Sequence, residues 1–251
     1  MLSQDHARSI CMENGGEVAS EAAQKHPRML EWLLSKNYID VDSDIHDSLG
    51  GTTKLLGAAI RGVHHSLEAS KILIRAGADV NAVTKSAKYA SALIIAARPW
   101  QKREVIQFLV EEGADISFVA ESGEFGCALE ASIRRGESEE NAFFLLEKVT
   151  NAHLTTTFSV GRHGSILAAA AYWARRELLK AMVCRLGQEA ALETLRQSLV
   201  FKGDRIVSAD EQFKARRKGM ALFLKEEIRG VDDELLYKIG VLPEDQYPYI
   251  M

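Results

Sequence analysis

Three side chains in the second half of the sequence have the chemistry of a proton-transfer site: Glu130, His163 and Tyr172. A carboxylate that lies beside an imidazole can move protons near neutral pH. These residues are far apart along the chain, so a meeting of Glu130 and His163 requires a fold that brings separate segments together. The alternative is that Glu130 hydrogen-bonds to the backbone of a loop, and we favour this structural role.

Motifs for cofactor binding and nucleophilic catalysis, such as GxGxxG, HExxH and GxSxG, do not occur in the sequence. The segment Gly50–Lys54 resembles part of a phosphate-binding loop, but it lacks the upstream glycine and the preceding strand. We predict that it shapes a loop before a helix. His64 and His65 are adjacent, and two adjacent histidines cannot easily face one ion without a third ligand. We therefore expect no cofactor and no metal site.

Cysteine usage and net charge narrow the class of protein. Cys11, Cys127 and Cys184 are widely spaced, which argues against a disulfide framework and a structural zinc site. We expect Cys127 and Cys184 in the core and Cys11 at the surface. The sequence shows no signal peptide and no long apolar run, so we expect a cytoplasmic location, with the nucleus as the alternative. A net charge of −4 argues against a protein that coats nucleic acid.

Two phrases recur along the chain at a regular interval. The first is Ile72–Asn81, which is echoed by Phe108–Ser117 and, in a worn form, by Leu33–Asp42. The second is a short alanine-rich run that begins at residues 16, 53, 91, 127 and 165. Such spacing indicates one structural unit used five times, and each unit is too small to bury its own apolar face.

Each unit reads as helix, turn, helix and long loop. The alanine-rich run predicts a short first helix that neighbours can approach closely, and Arg-Gly or Arg-Pro pairs end it. A second run has apolar residues at helical spacing, for example Val105, Ile106 and Leu109 together with Phe108 and Val110. Glycines such as Gly77 and Gly113 follow this run, where a left-handed helix cap is wanted.

The unit resembles the ankyrin repeat. The second unit matches that family's pattern at these positions: Thr53, Leu55, Ala58, Ala59, Gly62 and Gly77–Asn81. Gly123–Gly126 and Gly161–Gly164 are similar to the lead-in of many fungal ankyrin arrays, although the repeats are degenerate. The proline and histidine of the family's Thr-Pro-Leu-His motif are absent, and the units exceed the usual length of about 33 residues. The resemblance implies an all-α ankyrin-repeat solenoid of about five helix-turn-helix units with helical caps.

The domain division follows from where the repeat pattern ends. We predict that residues 1–188 form the repeat array, in which residues 1–26 supply the N-terminal cap. Residues 189–251 are predicted to form a C-terminal cap with two helices, Ala190–Val200 and Ala209–Ile228, and an acidic, tyrosine-containing tail, Val231–Met251. One hypothesis places this tail in the ligand groove. The alternative is a tail that packs on the C-terminal helices or is frayed.

The ankyrin resemblance implies a ligand face formed by the outer side of each first helix and by the loop tips. The seventh and eighth positions after each unit start fall on this concave face, as does a neighbouring tryptophan. The candidate partner-binding residues are Arg61, Arg98, Trp100, Arg134, Arg135, Tyr172 and Trp173. Arginine, tyrosine and tryptophan are enriched at interface hot spots. The alternative is a solvated face without a partner.

We predict a non-enzymatic scaffold or adaptor that binds a partner protein on this face. Arginine can fork onto carboxylates and phosphates, so the row of arginines suits an acidic or phosphorylated segment of the partner. Small-molecule binding or catalysis in the groove, as part of a biosynthetic or sensing pathway, is the alternative function. A closed cavity that holds Glu130 or His163 would favour that alternative. We expect a monomer that binds neither nucleic acid nor membrane.

Overall fold

A computed structural model describes residues 16–46, 52–62, 64–84, 88–98, 100–134, 139–161, 163–198 and 211–242. Within these ranges the chain forms fourteen helices and one pair of short strands. The helices are α1 (residues 16–25), α2 (Pro27–Ser35), α3 (Leu55–Arg61), α4 (Ser66–Arg75), α5 (Ala92–Ala96), α6 (Arg103–Glu111), α7 (Ala128–Ile133), α8 (Glu140–Lys148), α9 (Asn151–Leu154), α10 (Ile166–Tyr172), α11 (Arg176–Leu186), α12 (Gln188–Gln197), α13 (Glu211–Glu227) and α14 (Asp233–Lys238). The strands β1 (Asp44–His46) and β2 (Thr52–Lys54) are antiparallel, with Ile45 opposite Thr53.

Helical hairpins repeat along the chain at the predicted interval. In α3–α4, α5–α6, α7–α8 and α10–α11, a short first helix packs on a longer second helix. The alanines of the first helices are buried, and residues 168–171 of α10 are fully covered. Because small side chains leave little volume between helices, the second helices supply the bulk, as Val105, Ile106 and Leu109 do in α6. The predicted fold class, an all-α array of helix-turn-helix units, is confirmed.

The predicted unit starts coincide with helix N-caps in three of the repeats. The Ser91 hydroxyl accepts a hydrogen bond from the Ile94 N–H, and Ser165 accepts one from the Ala168 N–H. In α7 the thiol of Cys127 takes the same role toward the Glu130 N–H. Each side chain satisfies one of the backbone donors that the first turn of a helix leaves without a partner.

Left-handed glycines end the second helices of two repeats. Gly77 and Gly113 have φ angles of 98° and 89°. In each case the glycine N–H and the next residue's N–H donate back to carbonyls of the last helical turn, as in Ala78 N–H to Leu73 O. This pair of hydrogen bonds is the Schellman cap, so the left-handed helix cap predicted at these glycines is confirmed.

Loops that share one backbone hydrogen bond precede three of the first helices. In each loop one backbone hydrogen bond joins residues six positions apart: Thr84 to Ala90, Ala120 to Gly126, and Phe158 to Gly164. The earlier loop, before α3, carries the strand pair β1–β2 instead. This hydrogen bond fixes the position of the residues just before each first helix.

A ladder of side-chain hydrogen bonds links the ends of successive repeats. Oδ1 of Asn81 accepts the N–H of Asp115 at 2.8 Å, and its Nδ2 donates to the carbonyl of Gly113 at 3.0 Å. One repeat earlier, Oδ1 of Asp42 accepts the N–H of Asp79 at 3.3 Å. Asp42 and Asn81 both end a copy of the recurring phrase, so this position of the sequence repeat has a direct structural use.

Replacement of Asn81 by alanine is expected to lower the free energy of unfolding by about 1 kcal/mol. The reason is that the Asp115 N–H and the Gly113 carbonyl, which are exposed, exchange their hydrogen bonds to Asn81 for hydrogen bonds to water. Asn81→Asp is the matched control, since it keeps the acceptor that Asp42 uses and removes only the donor to Gly113. Urea unfolding followed by circular dichroism measures both variants. A loss in the aspartate variant as large as in the alanine variant would contradict the role given to the acceptor.

The chain packs as two compact units, residues 1–115 and 116–251. In the second unit α12 packs against α10 and α11, and α13 contacts the same two helices. The bounds of α12 and α13 agree closely with the two helices predicted from the sequence, Ala190–Val200 and Ala209–Ile228. The boundary proposed at residue 188 rests on the end of the repeat pattern and stays a proposal.

The described part of the C-terminal tail is folded onto the C-terminal helices. Helix α14, which the sequence analysis did not predict, begins where Asp232 accepts the N–H of Leu235 at 2.8 Å. Leu236 and Val241 are fully buried, and the Arg217 guanidinium of α13 donates to the carbonyls of Gly240 and Val241. For residues 231–242 this agrees with the alternative of a tail that packs on the C-terminal helices, and the tail in the groove stays a hypothesis for the rest of the segment. Residues 243–251 lie outside the described residues.

Two expectations for the cysteines have different outcomes. Cys127 is buried, as predicted, whereas Cys184 is exposed. The buried face of α11 consists of Leu178, Leu179, Met182 and Val183, and Cys184 follows it on the outer side of the helix. Cys11 lies outside the described residues.

Candidate functional site

In the first unit, three of the predicted partner-binding residues lie at the ends of first helices. Arg61 is the last residue of α3, Arg98 follows α5, and Trp100 lies in the turn before α6. The Nε of Arg98 donates to the carbonyl of Ile95 at 3.1 Å, which holds the guanidinium group at the end of α5. Trp100 is 54% exposed and is one of the large apolar side chains that face solvent.

A buried tyrosine organises these residues. The guanidinium of Arg98 lies 4.9 Å from the ring centre of Tyr89 and 5.4 Å from that of Trp100. The guanidinium of Arg61 and the ammonium of Lys88 approach the Tyr89 ring to 5.8 and 5.7 Å. Arg98 also donates to the Tyr89 hydroxyl, at 3.4 Å. Such cation–π contacts are modestly favourable and help to orient the cationic groups. We call this group, Arg61, Lys88, Tyr89, Arg98 and Trp100, the Tyr89 cluster.

Tyr89 and Lys88 were not among the predicted site residues, although the repeat register contains the signal for Tyr89. A ring-bearing residue stands two positions before the unit start in three repeats, as Tyr89, Phe125 and His163. Each ring pairs with the residue seven positions after the same start. The three pairs are Tyr89 with Arg98 at 4.9 Å, Phe125 with Arg134 at 5.8 Å, and His163 with Tyr172 at 4.8 Å.

In the second unit, Arg134 is engaged with an acidic partner. Its Nη1 lies 2.9 Å from Oε1 of Glu124, and both side chains are partly covered. The Phe125 ring lies beneath the same guanidinium. Arg134 therefore presents less free positive charge than the sequence analysis assumed. Arg135, the next predicted residue, lies outside the described residues.

The aromatic end of the predicted row is largely packed inside the second unit. Tyr172 is only 2% exposed, and its ring lies between His163 and the guanidinium of Arg217, which is 5.1 Å from the ring centre. Trp173 packs edge-on against Tyr172 at 5.1 Å and is half-buried. Because α13 supplies Arg217, the C-terminal helices cover Tyr172, and this side chain is not available to a partner.

Glu130 is a buried carboxyl in the second unit. Its Oε2 accepts the N–H of Gly126 at 2.6 Å, while its buried Oε1 has no hydrogen-bond partner in the described chain. Burial, together with the nearby Glu124 carboxylate, raises the pKa of Glu130 to about 8, and the Gly126 hydrogen bond only partly opposes this. Burial and the Glu130 charge also raise the pKa of the Cys127 thiol. Glu130 thus binds loop backbone, as the structural interpretation predicted, and the His163 ring lies tilted against the Tyr172 ring.

Three pockets in the described chain bear on small-molecule binding. One is a small cavity of about 10 Å³ beside Thr53 and Tyr89. The other two are open depressions of about 460 and 610 Å³, which share His65 and Glu68. None of these three is lined by Glu130 or His163. Among the described residues no group of three histidines, cysteines or carboxylates could hold a metal ion, and no helix is both long and apolar enough to cross a membrane.

Comparison with known proteins agrees with the repeat geometry. Residues 17–120 match the family model for ankyrin repeats (3 copies). The fold is similar to a chain in the structure of a predatory endopeptidase from Bdellovibrio bacteriovorus in complex with an immunity protein. That match has a TM-score of 0.51 and 19% sequence identity, and it covers 72% of this chain and 93% of the other. At this identity the likeness shows the fold alone. None of the curated proteins matches the sequence.

Proposed function

We propose that this chain, which carries ankyrin repeats in residues 17–120, is a non-enzymatic adaptor that binds a partner protein through the Tyr89 cluster. Ankyrin repeats generally mediate protein–protein interaction, and the family is typically non-enzymatic. The Tyr89 cluster lies at the ends of the first helices and at a loop tip, where the family resemblance places the ligand face.

The exposure of Trp100 carries this proposal. A tryptophan that is more than half exposed leaves a large apolar area in water. The Arg98 guanidinium is stacked beside it and is held at the end of α5. A rigid aromatic group next to an oriented arginine is the combination that dominates the binding energy of many interfaces.

The chemistry of the cluster favours an acidic or phosphorylated segment of the partner. Arginine presents several N–H donors in a planar fork that matches carboxylate and phosphate oxygens. The small number of cysteines favours a reducing compartment such as the cytoplasm, and the net charge of −4 argues against binding of nucleic acid. The proposal also takes the protein to be a monomer that does not bind membranes.

Catalysis or small-molecule binding at Glu130 has less support. The carboxyl is committed to the Gly126 backbone, and the three pockets described above do not include it. We therefore do not propose a second function.

Substitution of Trp100 by alanine is expected to abolish capture of the natural partner and to leave the fold intact, because the side chain is exposed. Quantitative affinity enrichment from the source cell compares tagged wild type with W100A. Trp32→Ala is the matched control, since Trp32 is 42% exposed on α2 outside the Tyr89 cluster.

Equal enrichment of the same proteins by wild type and W100A, with folding verified by circular dichroism, would overturn the proposed site. Arg98→Gln is a second test in the same cluster. Arg134→Glu is not a suitable test, because it would place a second carboxylate beside Glu124 and disturb the fold itself.

A further inference from the structure

The first unit carries a second open surface where the second helices α2, α4 and α6 begin. The two depressions of about 460 and 610 Å³ adjoin there, because His65 and Glu68 line both of them. No residue of the Tyr89 cluster lines either depression. We call the two together the basic depression. Its charged side chains are Lys25, Arg28, Lys71, Lys102, Glu68 and Glu104.

The charge of the basic depression is opposite in sign to that of the whole chain. Four lysine and arginine side chains and two glutamates line it, which gives a net charge of +2 with the histidines neutral, whereas the chain carries −4. Arg28 and Lys102 are exposed and form no ion pair within the described ranges. The Lys25–Glu21 pair at 3.0 Å is a surface pair, which a ligand can replace at little cost.

An exposed methionine gives the same surface an apolar part. Met29 is 44% exposed and lines the larger depression, and Leu67 lines the smaller one. The unbranched side chain of methionine adapts to apolar groups of different shape. The surface therefore fits a segment in which carboxylates flank an apolar side chain.

From this charge and shape we propose that the basic depression binds an acidic segment of a partner protein, with an apolar side chain of that segment on Met29. The surface is additional to the Tyr89 cluster, and the inference does not depend on the proposed function. Unlike charges on the two partners speed their encounter and favour the acidic segment over neutral competitors.

The probe is the peptide Glu-Glu-Leu-Glu-Glu with both ends blocked, so that only its side chains carry charge. It is titrated into the full chain while the methyl signal of Met29, assigned with Met29→Leu, is followed by NMR. We expect a saturable shift, and at least threefold weaker binding when the salt is raised from about 0.05 to about 0.5 M. The same peptide with glutamine in place of each glutamate should bind at least tenfold more weakly.

Two double variants separate the position of a charge from its amount. Arg28→Gln with Lys102→Gln removes two exposed cations of the basic depression and is expected to weaken binding of the acidic peptide at least fivefold. Arg75→Gln with Lys36→Gln is the matched control, since it removes two exposed cations outside the depression and should leave the affinity unchanged. Circular dichroism verifies that both double variants are folded.

Three outcomes would overturn the inference. The first is equal weakening by the two double variants, which would show that only net charge acts. The second is a Met29 signal that stays in place while the Trp100 indole signal moves, because the peptide would then bind the Tyr89 cluster. The third is movement of the Met29 signal with protein concentration alone, which would assign the depression to a second copy of the chain.

Failure of the inference can be told apart from failure of the proposed function. Trp100→Ala is expected to abolish capture of the partner through the Tyr89 cluster and to leave the Met29 titration unchanged. Loss of the Met29 shift in this variant would show that the two surfaces are not separate, and it would overturn the inference.

Discussion

Glu130→Gln is expected to stabilise the protein strongly at pH 9 and only slightly at pH 5. The folded protein holds the Glu130 carboxyl with its pKa raised from 4.5 to about 8. Between these two values the unfolded chain releases the proton while the folded chain keeps it, so stability is lost as the pH rises. Glutamine cannot ionise and escapes this loss. The gain corresponds to about 1 kcal/mol at pH 5 and about 5 kcal/mol at pH 9.

The physical cause is the surroundings of the carboxyl. Burial removes water from a group whose charged form needs it, and within the described part of the chain the carboxyl accepts one compensating hydrogen bond, from the Gly126 N–H. The neighbouring Glu124 carboxylate further disfavours a second negative charge. A glutamine side chain keeps the acceptor for Gly126, so the loop contact survives the substitution.

Urea unfolding of wild type and E130Q at pH 5, 7 and 9 measures this effect directly. Glu112→Gln provides the control, because it makes the same chemical change at a side chain that is exposed on the surface. Parallel pH profiles for wild type and E130Q would show that the buried carboxyl does not couple to folding.

Arg175→Ala is expected to lower the free energy of unfolding by about 2–4 kcal/mol, because one largely covered guanidinium satisfies three acceptors. Its Nε and Nη2 donate to the carbonyls of Ile133 and Arg134 at 3.2 Å each, at the end of α7. Its Nη1 pairs with Oε1 of Glu139 at 3.3 Å. A cation at a helix C-terminus also interacts favourably with the helix dipole.

The repeat register supplies a matched control for this arginine. Gln101 stands at the same position of an earlier unit, ten residues after its start, and its Nε2 donates to the Ile60 carbonyl at the end of α3, at 2.9 Å. Arg175→Gln should therefore retain one of the carbonyl contacts and lose about half as much stability as Arg175→Ala. Chemical denaturation at neutral pH compares the three proteins. Losses of the same size in both variants would contradict the equivalence of Arg175 and Gln101.

Sequence patterns were sufficient for features that depend on local interactions. The alanine-rich runs, the cap at Ser91 and the left-handed glycines Gly77 and Gly113 each involve residues a few positions apart. The hydrogen bonds that they form are determined by the backbone of one turn. Their recurrence every 36–38 residues then identified the repeat and its fold class.

The surface residues were predicted less completely. Equivalence in the repeat register predicts where a residue lies on its helix, but it does not predict which residues from elsewhere in the chain lie next to it. Arg98, Arg134 and Tyr172 are equivalent in register, yet Arg98 lies beside an exposed tryptophan, Arg134 pairs with Glu124, and Tyr172 is buried. What differs is what the rest of the chain brings to each position. In the case of Tyr172 that is Arg217, a residue of a helix outside the repeat pattern.

The sequence alone thus determined the repeating helical unit, the positions of its caps and the family it resembles, since these follow from hydrogen bonding and apolar spacing within about 40 residues. Tertiary structure alone decided which cations gather around Tyr89, how deeply Glu130 is buried and where the C-terminal tail packs. Those outcomes depend on desolvation and on contacts between residues distant in the chain, and neither can be read from spacing in a single sequence.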